Sequence, residues 1–342
     1  MTPLISLAAV SGMIMASVGF GLIALRAFGA EKYLRSALEL AMSGFVLGIG
    51  ILGWLLFFPG VLGAFSPTVF WGAIAAGMAA LFSQISSLKG LAASRPLKPI
   101  DIAFCLVLAI IAAFDLMEAI APAADADTLA YHFALPRDFI ANGEIGFVAR
   151  AVTGAIPLLV HMTYAAALAT GGELTLTLWA AATGWVPGLL LYALVRRHLN
   201  RTWSLVVLAL FLTTPAVLYG GGSGQIEIRC AAFALCAVMF LLASEREASY
   251  RVIALAGVCA GFFIGAKYYG LIFAGAAGLV VLCHRDGLKR SAIFGSAALV
   301  AGLQWYVWNY IHTGDPVFPV LTNMLQLPEI AYWNSEFGKY FS

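Results

Sequence analysis

Four carboxylates, Asp115, Glu118, Asp125 and Asp127, fall within thirteen positions where an otherwise hydrocarbon-like chain turns polar. The polar stretch runs from Ala124 to Gly143 and also carries Thr128, Tyr131, His132, Arg137 and Asp138. A carboxylate beside a membrane helix suits a general base that deprotonates an acceptor hydroxyl, and Asp127 is the candidate. Its structural alternative is an N-cap on the next helix. Asp125-Ala126-Asp127 is also a D-x-D tripeptide, the spacing with which paired carboxylates hold Mg²⁺ or Mn²⁺ beside phosphates. In an acidic loop that spacing alone specifies little, so the need for a divalent cation stays open.

Three further charges stand in apolar runs. Glu227 and Arg229 come after Gly220-Gly221-Gly222 and open a long apolar segment. A charge deep in a bilayer costs about 2.5–3.5 kcal/mol, so the two are expected to face a polar cavity or to pair with each other. Two positions apart on a helix they point in different directions, which favours separate partners. Lys267 lies in mid-run, far from the basic ends of its segment. A lysine there suits an anionic ligand such as a lipid phosphate, as a point charge; snorkelling to the headgroups is its alternative. Asp115 and Glu118, three apart, share one helical side and are expected to line the same cavity or to pair with a base. His132, Arg137 and His161 belong to the external loop, and a lone histidine there is more often an ordinary hydrogen-bonding residue than a catalyst. There is no G-x-S-x-G, H-E-x-x-H or P-loop, which leaves hydrolytic triads and nucleotide hydrolysis without support.

The elements that must position these groups are membrane helices. Of 342 residues 62% are hydrophobic and only 11% charged, against about 25% charged in soluble domains. A bilayer core of about 30 Å takes roughly 20 apolar residues to cross as a helix, leaving room for about ten spans in an all-α polytopic fold. Long apolar runs rather than short alternating ones exclude a barrel. Most of the nineteen basic residues gather in five clusters: Arg26, Lys32 and Arg35; Lys89, Arg95 and Lys98; Arg196, Arg197 and Arg201; Arg246 and Arg251; Arg285, Lys289 and Arg290. The positive-inside rule places these in the cytoplasm, with most acids, including Asp125, Asp127, Glu173, Asp315, Glu329 and Glu336, on the other side. The net charge of +2 has no nucleic-acid patch in it. The five cysteines sit in apolar runs without metal-ligand spacing and read as small buried hydrophobes.

With the basic loops as fixed points, residues 4–25, 38–59, 68–87, 102–121, 174–195, 203–220, 226–243 and 292–311 alternate across the membrane. The run from Val252 to Cys283 has basic residues at both ends, so it is expected as two short inclined helices meeting near Gly265-Ala266-Lys267-Tyr268. Residues 154–170 have both neighbours outside and are expected to lie in the outer interface. The acidic stretch starts a similar juxtamembrane helix, capped by Asp125 or Asp127 and ended by Asn142-Gly143, with Leu129, Phe133 and Ile140 toward lipid. The chain is thus expected in three units: a three-span N-terminal extension (1–98), a membrane core (99–325) and an external tail (326–342).

These pieces resemble the GT-C superfamily of polytopic glycosyltransferases, in the branch of the protein O-mannosyltransferases and the lipid A aminoarabinose transferase. Asp127-Thr128-Leu129-Ala130-Tyr131-His132 with Leu135-Pro136 is similar to the D-x-L-x-Y-H…P segment of bacterial members. Gly265-Ala266-Lys267-Tyr268 is similar to the family's G-T-K-Y turn. Trp305-Tyr306-Val307-Trp308-Asn309 through Thr313-Gly314-Asp315-Pro316-Val317-Phe318-Pro319 is similar to W-Y-x-R-N-x-x-x-T-G-N-P-V-Y-P. Two juxtamembrane helices in the first external loop are a feature of that fold. The resemblance covers about residues 100 to 325. Trp308 stands where arginine is common, Asp315 replaces asparagine, and Glu227 replaces an aspartate.

The resemblance implies transfer of a sugar from a polyprenyl-phosphate donor, on the extracytoplasmic face of a bacterial inner membrane, to a lipid, glycan or protein acceptor. Asp127 then matches the catalytic acid, Glu227 the second acid and Lys267 the donor-phosphate lysine. Arg229, Asp125, Tyr131, His132 and Arg137 complete the expected substrate-binding set. Family members continue past the T-G-D-P position with further helices, so a partner subunit is one expectation. Two other functions stay open: a non-catalytic GT-C-like subunit, and a lipid-linked-sugar or proton-coupled transporter using Asp115, Glu118 and Glu227.

Overall fold

A computed structural model of the chain describes residues 2–84, 96–148, 152–247 and 249–325, and the regular elements among them are all helical. Lys89 and Arg95, and the expected tail 326–342 with Glu329 and Glu336, lie outside the described residues. Helices α1 (Pro3–Ala27) and α2 (Ala37–Val61) form a hairpin, and α3 (Pro67–Gln84) packs back on α1. Ser36 starts α2 by accepting the Glu39 amide at 3.1 Å. Helix α4 (Pro99–Ile120) begins with proline where no amide partner is needed, and Asp101 accepts the Lys98 amide at 3.1 Å. Its Leu106, Ile110, Phe114 and Met117 remain exposed, an apolar flank suited to lipid.

After α4 a wide π-turn (Thr128–His132) leads into α5 (Ala134–Asn142), which ends at Gly143. Next come α6 (Leu159–Gly171), α7 (Glu173–Val195), α8 (Arg201–Leu212), α9 (Pro215–Gly222), α10 (Glu227–Glu247), α11 (Tyr250–Ala266), α12 (Tyr269–Leu282), α13 (Gly287–Thr313) and α14 (Val320–Leu325). Among the described residues α1, α2, α4, α7 and α10 are long and apolar enough to cross a membrane, with a sixth crossing if α8 and α9 count as one.

The structure adds to or changes several expectations. Residues 203–220 are not one straight span: the chain bends by 75° between α8 and α9. Pro215 has no amide to continue the ladder, and the hydroxyls of Thr213 and Thr214 turn back onto the carbonyls of Ala209 (2.7 Å) and Leu210 (2.9 Å). The triple glycine is the buried last turn of α9. The segment expected at the interface, α6, is buried along its length from Leu159 to Ala167. Small residues at Ala165–Ala167 let neighbours close on it, and the Trp179 indole donates to Thr163 Oγ1 at 2.9 Å. Phe133 likewise faces Tyr164 inside the protein rather than lipid.

The expected boundary near residue 98 does not separate two cores. One hydrophobic cluster takes in Leu52 and Leu56 of α2, Phe70 of α3, Leu159 of α6, Trp179 of α7 and Phe262 of α11. Contacts also gather the basic ends on one face. Arg26 donates to Gln84 (2.9 Å), Arg197 to Glu39 (2.7 and 2.8 Å) and Arg201 to the Pro96 carbonyl (3.1 Å), while Arg290 reaches Ser244 Oγ (3.2 Å). At the other end the loop after α2 clasps the loop after α5, Phe65 N to Gly143 O at 2.8 Å and Ile145 N to Gly60 O at 2.9 Å. Of the cysteines, Cys230, Cys236 and Cys259 are buried as expected, but Cys283 at the end of α12 is exposed.

Candidate functional site

The acidic turn is tied down by one of its two aspartates. Asp125 Oδ2 accepts the amide of Thr128 at 2.9 Å and its hydroxyl at 2.5 Å, while Oδ1 takes the Tyr219 hydroxyl and, at 3.3 Å, the Gln225 amide. Burial opposes the charge on Asp125, but these donors outweigh it and hold its carboxyl below the ordinary range. Thr128 in turn accepts the Gly224 amide at 3.1 Å. The turn is thereby fastened to the loop that starts α10, and Glu227 is brought up beside it. Asp127, by contrast, is exposed and caps nothing, and its carboxylate bonds to no described residue.

Glu227, first in α10, forms an ion pair with Lys267. Lys267 is the break between α11 and α12: its backbone is extended (φ −161°, ψ 148°), which swings the ammonium away from both helix axes. The break is tight because α12 starts against the end of α11. A Cβ on Gly270 would lie 2.3 Å from the Ile264 nitrogen, so only glycine fits there. The long aromatic segment of α13 braces this break. Tyr306 Oη donates to the Ile264 carbonyl (3.0 Å), and Asn309 Nδ2 donates to Tyr268 Oη (3.0 Å), which itself donates to the Phe318 carbonyl (2.7 Å). Asp315 closes the loop beyond by accepting the amides of Val317 and Thr322, both at 2.8 Å.

Lys267 opens onto a cavity of about 230 Å³ whose wall is Tyr131, Ile156, Pro157, His161, Ile226 and Tyr268, nearly all apolar surface. Behind Tyr131 lie two buried histidines, His132 Nδ1 at 2.8 Å from His161 Nε2. Their rings stack and the other nitrogen of each has no partner among the described residues. Burial, reinforced by Lys267 and Arg229 and opposed by Glu227, drives His132 from an ordinary 6.5 down to about 3, so it is neutral. Tyr131 is the point where the acids meet: burial first, then the charges of Glu227, Asp127 and Asp125, push its hydroxyl upward. Asp127 does not line this cavity and reaches Tyr131 only through its charge, whereas Lys267 is part of the wall.

A second cavity, about 390 Å³, lies on the other side of the acidic turn against Glu118, Asp125, Thr128, Thr177 and Tyr219. Asp115, buried next to it, accepts the Trp185 indole at 2.6 Å. Glu118 therefore shares a cavity with Asp125, not with Lys267, and among the described residues no base pairs with Glu118 or Asp115. No family model, curated protein or solved structure matches the chain.

Two expected ligand-binding arginines are engaged elsewhere. Arg229 is buried, and its guanidinium donates to the carbonyls of Gly220 (2.7 Å), Gly221 (3.2 Å), Ala180 and Gln225 and to Thr183 Oγ1 (3.3 Å). It ties the C-terminus of α9 to α7, where a cation complements the helix end, and has no donor left for a phosphate. Arg137 is on the surface, paired with Glu173. The D-x-D tripeptide is split between two environments, and among the described residues no three His, Cys, Asp or Glu side chains gather as metal ligands. Sequence reasoning gave His161 no role at the site and passed over Tyr219 and the fastening part played by Thr128. Only Thr128 left a signal, an Asx-type cap three residues after Asp125.

Proposed function

We propose that the protein is a polytopic membrane glycosyltransferase of GT-C type, moving a sugar from a polyprenyl phosphate to an acceptor hydroxyl by inverting single displacement. The observation that carries this reading is the Glu227–Lys267 pair at the mouth of an apolar cavity walled by Tyr131 and Tyr268. An amphiphile with an anionic head and an apolar tail is what such a site would take. About ten crossings, an extracytoplasmic site and the bacterial inner membrane belong to the same proposal, supported by the gathering of basic ends on the opposite face.

In the reaction the acceptor oxygen attacks the anomeric carbon, the bond from that carbon to the phosphate oxygen breaks, and polyprenyl phosphate leaves. The acceptor proton goes to Asp127, the one carboxylate of the turn that is not already hydrogen-bonded. Lys267 neutralises the charge developing on the departing phosphate, exchanging Glu227 for it; Glu227 then holds Lys267 in place between turnovers. A single base suffices because the phosphate needs no proton to leave, unlike a glycosidase with two working carboxylates. Asp125 positions the turn, and a divalent cation is not required by this scheme.

The test is release of polyprenyl phosphate from a lipid-linked sugar by the purified protein in nanodiscs, with and without acceptors. Asp127→Asn is expected to lower release at least about 10²-fold with normal expression, and Lys267→Gln to weaken donor use in parallel. Wild-type release by Asp127→Asn removes the assignment. The acidic second cavity favours one other reading, a proton-coupled carrier of lipid-linked sugars; uptake driven by a proton gradient and lost in Glu118→Gln, without release of polyprenyl phosphate, decides for it.

A further inference from the structure

The cavity of about 390 Å³ beyond the acidic turn has six polar side chains in its wall: Glu118, Asp125, Thr128, Thr177, Tyr219 and Ser223. Three of their hydroxyl protons are already engaged inside the protein. Thr128 and Tyr219 donate to Asp125, and Thr177 donates to the Leu174 carbonyl at 3.2 Å. A hydroxyl that has donated can still accept, and an ionised carboxylate can only accept. Ser223 apart, the side chains of this wall therefore offer acceptors, and a ligand there has to bring the donors.

Glu118 adds a charge to that requirement. It has no hydrogen bond or ion pair among the described residues, and Arg229, whose charge reaches it, is held by acceptors of its own. The carboxylate rests on the glycine end of α9: a Cβ on Gly222 would stand 2.2 Å from Glu118 Oε2, so glycine leaves the space it occupies. The lining residues fall at 118–133, 177 and 219–224, inside stretches described without a break. Met117 and Ile120 on α4 and Leu218 on α9, their neighbours in the chain, are exposed and apolar, so the cavity borders the surface that faces lipid. Asp127 stands between two residues of the wall, Ala126 and Thr128.

We infer that this cavity receives the acceptor, and that the acceptor is a membrane amphiphile whose head brings hydroxyls and a protonated amine, the amine at Glu118. The inference rests on the transferase reading and names its acceptor class. A phosphate head would set acceptors against acceptors and belongs at Lys267 instead. A neutral polyol would supply donors but leave Glu118 without a counter-charge.

A matched pair of amphiphiles tests this: dodecyl 2-amino-2-deoxyglucoside against dodecyl glucoside, by calorimetric titration of the whole protein in phosphatidylcholine nanodiscs. At about pH 6, below the range of an α-amino group, the amino glucoside is expected to bind about tenfold tighter, the share of one charge-assisted hydrogen bond. Glu118→Gln brings the two to equal affinity, and Gly222→Val, which fills the space of the carboxylate, weakens both. Asp138→Asn, an exposed acid outside the cavity, leaves the tenfold preference intact. No lipid-linked sugar is present, so the result does not depend on release of polyprenyl phosphate, which tests the transferase reading by itself. Equal binding of the pair overturns the inference, as does a preference that survives Glu118→Gln. An equal loss in Asp138→Asn reduces the effect to general surface charge, and Mg²⁺ that binds alone and displaces the amino glucoside makes Glu118 a cation site; either result overturns it too.

Discussion

His132 and His161 share one hydrogen bond across 2.8 Å while the second nitrogen of each ring is buried without a described partner. A proton added to either would sit in apolar surroundings beside its twin and near Lys267. The unfolded chain protonates His132 near 6.5 and the folded chain only near 3, so the unfolded state binds the extra proton between those values. The stability this contributes is fully present above about pH 6.5 and is lost as the pH falls toward 3, by at most about 1.4 kcal/mol per unit. The melting temperature of the purified protein is therefore expected to fall between pH 6.5 and 4.5, and His132→Gln to flatten part of that fall. A variant with the same pH slope as wild type would show that His132 is not the group held neutral. Nothing in the sequence announced this pair, because its partners are 29 residues apart and each alone looks like an ordinary polar residue. Lys267 stood out for the opposite reason: a lysine in mid-run is conspicuous without knowledge of neighbours.

At the scale of elements the punctuation was readable and the burial was not. Asn142-Gly143 ends α5, and the chain breaks at Lys267-Tyr268, both where the residue types say so. The bend before α9 was also written locally, in Thr213-Thr214-Pro215, but hydropathy averaged it away into one span. For α6 the topology, both neighbours on one side, argued against a crossing but did not say that other helices cover it on every side; only packing shows that. Arg229 shows the same limit. Its charge suggested a ligand, yet five acceptors on α7, α9 and the loop between α9 and α10 enclose it. Arg229→Met is accordingly expected to act on stability before chemistry. Each carbonyl left buried without a donor costs about 1–3 kcal/mol, so even after relaxation the melting temperature should drop by several degrees. A phosphate-binding arginine would behave otherwise, weakening donor binding in a protein of unchanged stability, and thermal unfolding measured beside donor titration separates the two.

For the whole molecule the question is whether the first three helices form an accessory or part of one body. Helix α2 answers it through its contacts. Gly53 lies against the backbone of α6, where a Cβ would stand 2.3 Å from the Leu159 carbonyl oxygen, and two residues beyond Leu159 is His161 of the candidate site. Neither backbone can yield without moving its helix, since both sides of the contact are buried among close-packed side chains. Gly53→Val should therefore part α2 from α6 and loosen a core that runs through both, lowering stability by about 1–3 kcal/mol or more. Because that core is shared, unfolding followed by tryptophan fluorescence is expected to stay a single transition, shifted to lower temperature. If residues 1–98 were an independent unit, the same variant would instead split the curve, with an early transition for the hairpin and an unshifted one for the rest. An unshifted main transition would mean that α6, and with it His161, is positioned without help from α2, and that the chain beyond residue 98 builds the site unaided.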